Sequence, residues 1–267
     1  MRWPARILMW FGSIFFGIAG LFAAFLRQLA VMGRLIGQTA ARFPLFVKNV
    51  DVSIEQMYSI GITSVPLVTI IALFVGSVTV TQAVYQFSGF IPLRYLGLAV
   101  CKTMITELAP VITSMVVSGR ITTSIAAEIG SMKTSEQLDA MTILSLDPVR
   151  YLVVPKTIAC VTMMPVLVVW STLMAFIGSI LTVLLTVRLA LPTYLAGLRM
   201  FFHTRDLLMG IGKTAVFGAI IAIVGSYFGY RTKGGAEGVG EATTKAVMLS
   251  SVLILIFDFI MAFMFLR

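Results

Sequence analysis

Charged residues, histidine and cysteine are all scarce in this 267-residue chain, and their scarcity excludes several functions. Only 12% of the residues are charged, and His203 is the single histidine, so a histidine-based metal site lacks its ligands. Cys101 and Cys160 lie in separate apolar runs without metal-ligand spacing, as expected of small buried side chains that form no disulfide. The sequence holds no recognisable Ser/His/Asp set, and we predict no enzyme active site.

Hydrophobic residues, by contrast, make up 59% of the chain and are gathered in long runs. A transmembrane helix needs about 20 mostly apolar residues. Five runs meet this requirement, at residues 61–85, 95–117, 152–187, 211–230 and 247–266. We therefore predict an all-α integral membrane protein with about five transmembrane helices. The whole chain, 1–267, is expected to form one membrane domain, because no linker, low-complexity tract or repeat divides it.

Membrane topology explains the formal net charge of +9 better than nucleic-acid binding does. The basic residues stand mainly at the ends of the apolar runs, where the positive-inside rule places them. Residues 1–60, 118–156 and 231–245 together hold 13 Lys and Arg, and the opposite side holds six. This asymmetry predicts a cytoplasmic N-terminus and an external C-terminus, although four bases within 188–213 argue for the reverse.

An uncharged run at residues 7–26 follows two arginines near the N-terminus. Taken alone, this run is compatible with a signal peptide, a sixth span or a helix lying in the membrane interface. Small residues recur along one side of it, a pattern that allows close helix packing, at Ser13, Gly17, Gly20 and Ala24. The widely spaced bases that follow, up to Lys48, are typical of an amphipathic stretch on an anionic leaflet.

Two acids stand inside apolar runs, Glu107 in the second and Asp258 in the last. A carboxylate within a bilayer usually faces a cavity or a partner, so each acid is either a packing group or part of a substrate or ion path. We favour the path for Glu107 and helix packing for Asp258. Lys102 lies about 140° round the helix from Glu107 and is therefore a poor partner for it. Pro110 favours a kink that opens space beside Glu107.

Two glycine-containing motifs resemble phosphate-binding loops without meeting their requirements. Gly212-Lys213-Thr214 lacks the earlier glycine of a P-loop, since Leu207 stands there, and no clear strand precedes it. The run 234–240 also lacks a strand–loop–helix setting. We therefore predict that this chain does not bind ATP by itself and that 234–240 is a flexible cytoplasmic turn.

A polar island at residues 118–156 separates two long apolar runs and holds four acids and four bases. An apolar stripe recurs within it at helical spacing, which predicts a short amphipathic helix at the membrane edge, through Ile121, Ile125, Ile129 and Met132. The stripe of such a helix packs either on its own bundle or in the groove of a partner protein. A solvated helix face is the simplest account of its acids.

This island, with the residues just before it, closely resembles the MlaE family of ABC-transporter permeases. The family pattern appears here as Gly119-Arg120, Glu128-Ile129-Gly130, Met132-Lys133, Glu136-Gln137 and Asp147-Pro148-Val149-Arg150. The run 234–251 also resembles the family's loop into the last helix. The resemblance is strong over about 100–250 and weaker before it.

The resemblance implies the permease subunit of an ATP-driven phospholipid transporter in the bacterial inner membrane. Two copies of the chain are expected to form a homodimer that encloses an outward-opening lipid pocket. The other implied partners are a cytoplasmic ABC ATPase, a STAS-domain regulator and a periplasmic MCE-domain protein. ATP and Mg are expected in the ATPase, with no cofactor in this chain. The resemblance also implies an interfacial elbow helix at 7–26, within an N-terminal region 1–55, before a bundle at 60–267.

Specific residues receive roles from the same resemblance. Glu107 matches a family glutamate on the pocket-lining helix, and the arginine that precedes it in some members is Thr106 here. The expected pocket residues are Glu107, Thr106, Lys102, Pro110 and Asp258. Segment 119–150, with a helix at 121–140, is implied to be the element that couples the bundle to the ATPase. Its expected contact residues are Arg120, Glu128, Met132, Lys133, Glu136, Gln137 and Asp139.

Three other functions remain compatible with the residues alone. A proton-coupled secondary transporter would use Glu107 or Asp258 as its proton site, although the sequence shows no internal repeat. A membrane-embedded enzyme lacks a catalytic constellation. A structural scaffold would need Glu107 only for stability.

Overall fold

The computed structural model describes residues 30–42, 50–87, 91–187, 189–200 and 203–265. These residues form α-helices joined by short turns, with no strand among them, so the all-α prediction is confirmed. The interfacial helix expected at 7–26 lies outside the described residues. The α-helices are α1 (30–42), α2 (Val50–Gly61), α3 (Val65–Phe87), α4 (Leu96–Thr103), α5 (Ala109–Thr134), α6 (Gln137–Ile143), α7 (Val154–Thr186), α8 (Leu191–Met200), α9 (Thr204–Tyr230) and α10 (Gly235–Phe265).

Five helical stretches of the described chain are long and apolar enough to cross a membrane. They are Val50–Phe87, Leu93–Thr134, Val149–Thr186, Thr204–Tyr230 and Gly235–Met264. Each coincides with one predicted run, and each begins earlier than that run because helix formation continues through the polar residues at its end. The first stretch joins α2 to α3 through a 3-10 turn, whereas the second and third contain π turns at Met104–Leu108 and Val149–Val153.

Glycines allow the spans to pack closely. A side chain at Gly76 of α3 would collide with the backbone of Ala175 in α7, and one at Gly178 of α7 would collide with the backbone of Leu73 in α3. Such small residues let helix backbones approach where no hydrophobic effect drives helices together within lipid. The pair of helices α3 and α7 is therefore fixed in register, and Trp170 adds a hydrogen bond from α7 to Thr69 at 2.8 Å.

The helix expected at 121–140 has different bounds. α5 continues unbroken from the second span to Thr134, and its residues Ile121, Ile125 and Ile129 are buried in the main core of the bundle. The amphipathic stripe therefore packs on its own bundle and is not a separate short helix. The chain then turns and forms α6, so the predicted coupling residues Glu128 and Asp139 belong to two helices.

The flexible turn predicted at 234–240 is also corrected. The turn between α9 and α10 is short, with positive φ at Gly234 and Gly235, and the remaining glycines of this run lie in the first turns of α10. Gly130, near the end of α5, packs against Thr232 of this turn. The connections 135–148 and 231–234 thus lie together at one end of the bundle, which we call the Glu136 end.

The opposite end of the bundle is closed by α8, which packs against α4. Tyr194 of α8 is fully buried and donates a hydrogen bond to Ser179 Oγ of α7 at 2.8 Å. Burial raises the pKa of Tyr194 to about 12, so its hydroxyl stays protonated and remains a donor at neutral pH.

Candidate functional site

A buried lysine stands at the centre of a charged cluster inside the bundle. Lys213 of α9 is only 3% exposed, and its Nζ lies 2.9 Å from Glu107 Oε1 and 2.8 Å from Asp258 Oδ1. The same ammonium donates to the backbone carbonyl oxygen of Thr106 at 3.3 Å. We call Lys213, Glu107 and Asp258 the lysine triad. It joins three spans that are far apart in the sequence, and a buried charge is tolerated in such a place when it is paired.

The backbone beside Glu107 is arranged to accept this lysine. Glu107 lies in the π turn Met104–Leu108, and π turns inside α-helices are frequent at functional sites. Pro110 follows at the start of α5 and has no N–H, so it cannot donate to the Thr106 carbonyl four residues earlier. Lys213 donates to that carbonyl instead. Pro110 and the irregular helix therefore leave a backbone carbonyl oxygen free, and the buried ammonium binds to it.

The three members of the triad differ in exposure. The Lys213 side chain is 4% exposed, that of Asp258 16% and that of Glu107 34%. The ammonium is therefore enclosed, and the carboxylate of Glu107 is the part of the triad most accessible from outside the chain. A ligand that reaches this site meets a carboxylate first.

Lys102, expected in the pocket, forms a second ion pair beside the triad. Its Nζ lies 2.6 Å from Asp206 Oδ2 near the start of α9, and its side chain is 46% exposed. The expectation that Lys102 does not pair with Glu107 agrees with these partners. Thr106 Oγ1 donates to the Lys102 carbonyl at 2.9 Å, within the helix. All five predicted pocket residues thus lie in or next to one charged region.

A second buried lysine lies toward the Glu136 end. Lys156 of α7 is 2% exposed, and its Nζ lies 2.6 Å from Glu128 Oε2 of α5 and 3.2 Å from Gln56 Oε1 of α2. Glu128, expected to contact an ATPase, is 45% exposed and holds this lysine within its own chain. Arg120, another expected contact residue, donates to Ser64 Oγ at 2.6 Å. These contacts tie α5 to α2, α7 and the α2–α3 junction.

The remaining predicted coupling residues surround the turn between α5 and α6. Lys133 and Asp139 form an ion pair across it, with Nζ and Oδ1 2.9 Å apart. Glu136 and Gln137 are exposed, and Met132 packs at the edge of the core. Glu136 has φ 61°, a left-handed conformation that is unfavourable for a residue with a side chain. Nearby, Asp147 pairs with Arg42 and so attaches α1 to this end of the bundle.

Sequence reasoning missed three of the residues that complete these sites: Lys213, Lys156 and Gln56. It counted Lys213 among the four bases of 188–213 and also included it in the predicted run 211–230, and the structure places it inside α9, which begins at Thr204. The apolar residues on both sides of Lys213 were the available signal. Lys156 and Gln56 carry no comparable signal, since only the packing of α2, α5 and α7 brings them together.

Comparison with known proteins identifies the family of this chain. The model of the family "Permease MlaE" matches residues 53–264. This chain belongs to the MlaE permease family. A probable ABC transporter permease protein of Rickettsia bellii is 38% identical over 214 residues, covering 80% of this chain and 83% of that protein. One of Synechocystis is 37% identical over 212 residues, covering 79% and 81%.

A plant relative extends the same family. The chloroplastic protein TRIGALACTOSYLDIACYLGLYCEROL 1 of Arabidopsis thaliana is 35% identical over 217 residues, covering 80% of this chain and 61% of that protein. Membership of the MlaE permease family and the five spans make this chain a multi-pass transmembrane permease. The similarity to ABC transporter permeases implies an ATPase partner.

Proposed function

We propose that this chain is the permease subunit of an ATP-driven phospholipid transporter and that the lysine triad lies in its lipid pathway. The observation that carries the proposal is a charged cluster fixed among apolar spans, with the Glu107 carboxylate 34% exposed. Apolar span surfaces suit acyl chains, whereas a polar group at this depth suits a headgroup. The plant relative, whose name includes a galactolipid, supports a lipid as the substrate class.

The chain itself supplies no chemistry in this proposal. ATP and Mg bind to a separate cytoplasmic ATPase, and the permease supplies the pocket and converts the movement of that partner into a change of pocket width. Glu107, Thr106, Lys102, Pro110 and Asp258 form the polar part of the pocket, with Lys213 as the residue that orients both acids. Lipid is expelled when the bundle narrows.

Coupling to the ATPase occurs at the Glu136 end. Glu136, Gln137 and Asp139 are exposed there, on a turn held by the Lys133–Asp139 ion pair. Movement of this turn passes directly into α5, because α5 runs without interruption from the turn to the π turn at Glu107. Arg120 and Glu128 then have an internal role, since they tie α5 to neighbouring helices, and Met132 supports the turn from the core.

The assembly follows the family expectation. Two copies of the chain form a homodimer in the bacterial inner membrane, together with a STAS-domain regulator and a periplasmic MCE-domain protein. The Glu136 end faces the cytoplasm, in agreement with the Lys and Arg excess on that side and with a cytoplasmic N-terminus. The lysine triad then lies toward the periplasmic half of the bundle, where an outward-opening pocket would receive or release lipid.

Purification of the tagged native chain in mild detergent, followed by mass spectrometry of proteins and lipids, tests this function. We expect an ABC ATPase, the two other partner proteins and bound phospholipid. Glu107→Ala should reduce lipid transport with the ATPase still bound, and Glu136→Lys should weaken ATPase binding with lipid still bound. Normal transport and normal ATPase binding in both variants would contradict the proposal.

A proton-coupled transporter is the competing function, and one observation favours it. Two carboxylates share a single lysine in the triad, which leaves one acid able to exchange a proton. That function predicts transport by the purified chain alone, driven by a pH difference. Dependence of transport on ATP and on a co-purified ATPase would exclude it.

A further inference from the structure

The ammonium of Lys213 is enclosed by oxygens of its own chain and is not accessible to a substrate phosphate. It donates hydrogen bonds to Glu107 Oε1 at 2.9 Å and to the Thr106 carbonyl oxygen at 3.3 Å, and it forms an ion pair with Asp258 Oδ1 at 2.8 Å. The side chain is also enclosed, at 4% exposure. The basic residue at the centre of the site is therefore unsuited to bind the phosphate of a lipid directly.

The groups that a headgroup can reach carry a surplus of negative charge. The lysine triad and the adjacent Lys102–Asp206 pair contain two cations and three carboxylates, a net charge of −1 when all are ionised. Glu107 is the most exposed of the three carboxylates, compared with 16% for Asp258 and 14% for Asp206. Only one oxygen of Glu107 contacts Lys213, and a carboxylate has about four acceptor positions.

Lys102 supplies the complementary cation. Its side chain is 46% exposed, and its ammonium has donors in addition to the one that meets Asp206. Lys102 and Glu107 both reach α9, where their partners Asp206 and Lys213 stand seven residues apart on one face, about 10 Å along the axis. An exposed ammonium and an exposed carboxylate that meet the same helix face can bind the two ends of a headgroup that carries a phosphate and an ammonium joined by a two-carbon linker.

We propose that this cluster selects phospholipids whose headgroup ends in a primary ammonium. Glu107 accepts hydrogen bonds from the headgroup ammonium, and Lys102 pairs with its phosphate. The inference rests on the proposed lipid-transport function and specifies its substrate class. A headgroup with net negative charge is disfavoured, because the surplus carboxylate repels it. A choline headgroup has no N–H and lacks the hydrogen bonds.

Other bases at this end of the bundle do not alter the preference. Arg94 lies in the first turn of the second span, Arg199 lies in α8, and Arg205 is exposed at the start of α9. Cations near the membrane surface attract every phosphate-bearing lipid. Discrimination between headgroups therefore depends on the group that meets the terminal ammonium or hydroxyl, which is Glu107.

Competition between matched lipids tests the selection. The full-length chain, purified with its partner proteins, is equilibrated with equimolar phosphatidylethanolamine, phosphatidylglycerol and phosphatidylcholine of identical acyl chains, and the retained lipids are measured by mass spectrometry. We expect ethanolamine lipid to exceed glycerol lipid by about tenfold or more, as one charge-assisted hydrogen bond provides. Retention of choline lipid should be lower than that of ethanolamine lipid.

Variants locate the preference in the triad. Glu107→Gln keeps an oxygen that accepts from Lys213 and removes the charge, so retention of the ethanolamine lipid should fall toward that of the glycerol lipid and the preference should largely disappear. Asp258→Asn, at a less exposed position, should reduce the preference less. Glu237→Gln, the same change at an exposed position near the Glu136 end, is the matched control and should leave the ratio unchanged.

Three outcomes overturn the inference in distinguishable ways. Equal retention of the glycerol lipid, or an unchanged ratio in Glu107→Gln, would refute selection by this cluster while lipid transport stands. Choline lipid retained as well as ethanolamine lipid would refute the hydrogen bond from a primary ammonium. Failure to retain any lipid would refute the proposed function together with the inference.

Discussion

The two buried lysines of this permease are paired with different sets of partners. Lys213 has two carboxylates and a backbone carbonyl within reach, whereas Lys156 has one carboxylate and one amide oxygen. Glu107 and Glu128, their partners on the second span, lie 21 residues apart, about 30 Å along a helix. The pair with Lys156 is electrically neutral, and the triad has an excess acid.

This difference separates a site that only has to hold helices together from one that can also meet a ligand. The pair of Lys156 and Glu128 balances the charge of the buried ammonium and has no excess acid, which suits a contact that joins α2, α5 and α7. An excess carboxylate in an apolar region is costly, so its presence is better explained by a function than by packing. A π turn lies beside each of the two lysines, at Met104–Leu108 and at Val149–Val153, so the irregular backbone does not distinguish the sites.

The largest effect is expected from Lys213→Met. This change leaves Glu107 and Asp258 without their cation, and loss of one partner of a buried ion pair costs about 3–5 kcal/mol. Partial exposure of Glu107 places the cost at the lower end of that range. Lipid transport should also fall, because Lys213 orients both acids of the proposed pocket. Thermal unfolding of the purified complex and lipid transfer to acceptor vesicles measure both effects.

Lys102→Met is the matched control for that variant. It makes the same substitution in the neighbouring ion pair, but Lys102 is 46% exposed and an exposed pair contributes about 1 kcal/mol or less. Equal stability of the two variants would show that the buried triad is not a stabilising unit. Recovery of stability by Glu107→Gln in the Lys213→Met background would support the explanation by unpaired charge.

The next prediction compares the removal of one acid beside each of the two buried lysines. Glu128→Gln removes the carboxylate that pairs with Lys156, which is 2% exposed, and should destabilise the protein by about 2 kcal/mol. Asp258→Asn leaves Glu107 to balance Lys213 and should change stability by less than about 1 kcal/mol. Melting temperatures of the two variants, measured in the same detergent, make the comparison. A larger loss of stability in Asp258→Asn than in Glu128→Gln would show that Glu107 alone does not balance Lys213.

Much of the fold could be predicted from the sequence, because span length and apolar composition are local properties. The five spans follow from the hydrophobic runs, and the expectation that Glu107 has a partner follows from its position as an acid within one of them. The bounds of the helices near the Glu136 end were predicted less accurately. Ile121, Ile125 and Ile129 have the same periodicity whether they continue a span or form a separate surface helix. Only burial against α9 and α7 decides between these possibilities.

The partners of the charged residues depended on tertiary packing. Lys213 stands 106 residues from Glu107 in the sequence, and Lys156 stands 100 residues from Gln56. No spacing rule within a helix relates such residues, since side-chain pairs within a helix are limited to separations of three or four. Sequence reasoning correctly rejected Lys102 as a partner of Glu107, but it could not supply the actual partner without the position of α9.

Pro110→Ala tests whether the irregular backbone serves the triad. Alanine restores an N–H that can donate to the Thr106 carbonyl, where Lys213 now donates. Stability should stay equal or rise by about 1 kcal/mol, since a proline near the start of a helix is replaced by a strong helix former. Lipid transport should fall about threefold, because the ammonium then competes with the backbone for that oxygen. Thermal unfolding and lipid transfer are measured on the same sample.

The corresponding proline at the Glu136 end provides the control for that experiment. Pro155 lies in the first turn of α7, next to Lys156, whose Nζ bonds only to side-chain oxygens among the described residues. Pro155→Ala should therefore leave transport close to that of the unaltered protein. Reduced transport in Pro155→Ala and normal transport in Pro110→Ala would contradict a special role for the backbone at the triad.

The smallest expected effect comes from glycine substitution of Glu136, which should change stability and ATPase binding in opposite directions. Glu136 and Ser145 both have left-handed backbone conformations, with φ of 61° and 58°, which glycine adopts without the cost of about 1 kcal/mol that other residues meet. Glu136→Gly and Ser145→Gly should each raise stability by up to that amount. Only Glu136→Gly should weaken binding of the ATPase, because it also removes an exposed carboxylate from the turn between α5 and α6, where we propose that the ATPase binds. Melting temperature and ATPase co-purification distinguish the two variants, and equal ATPase binding would show that the strained glutamate is not retained for that contact.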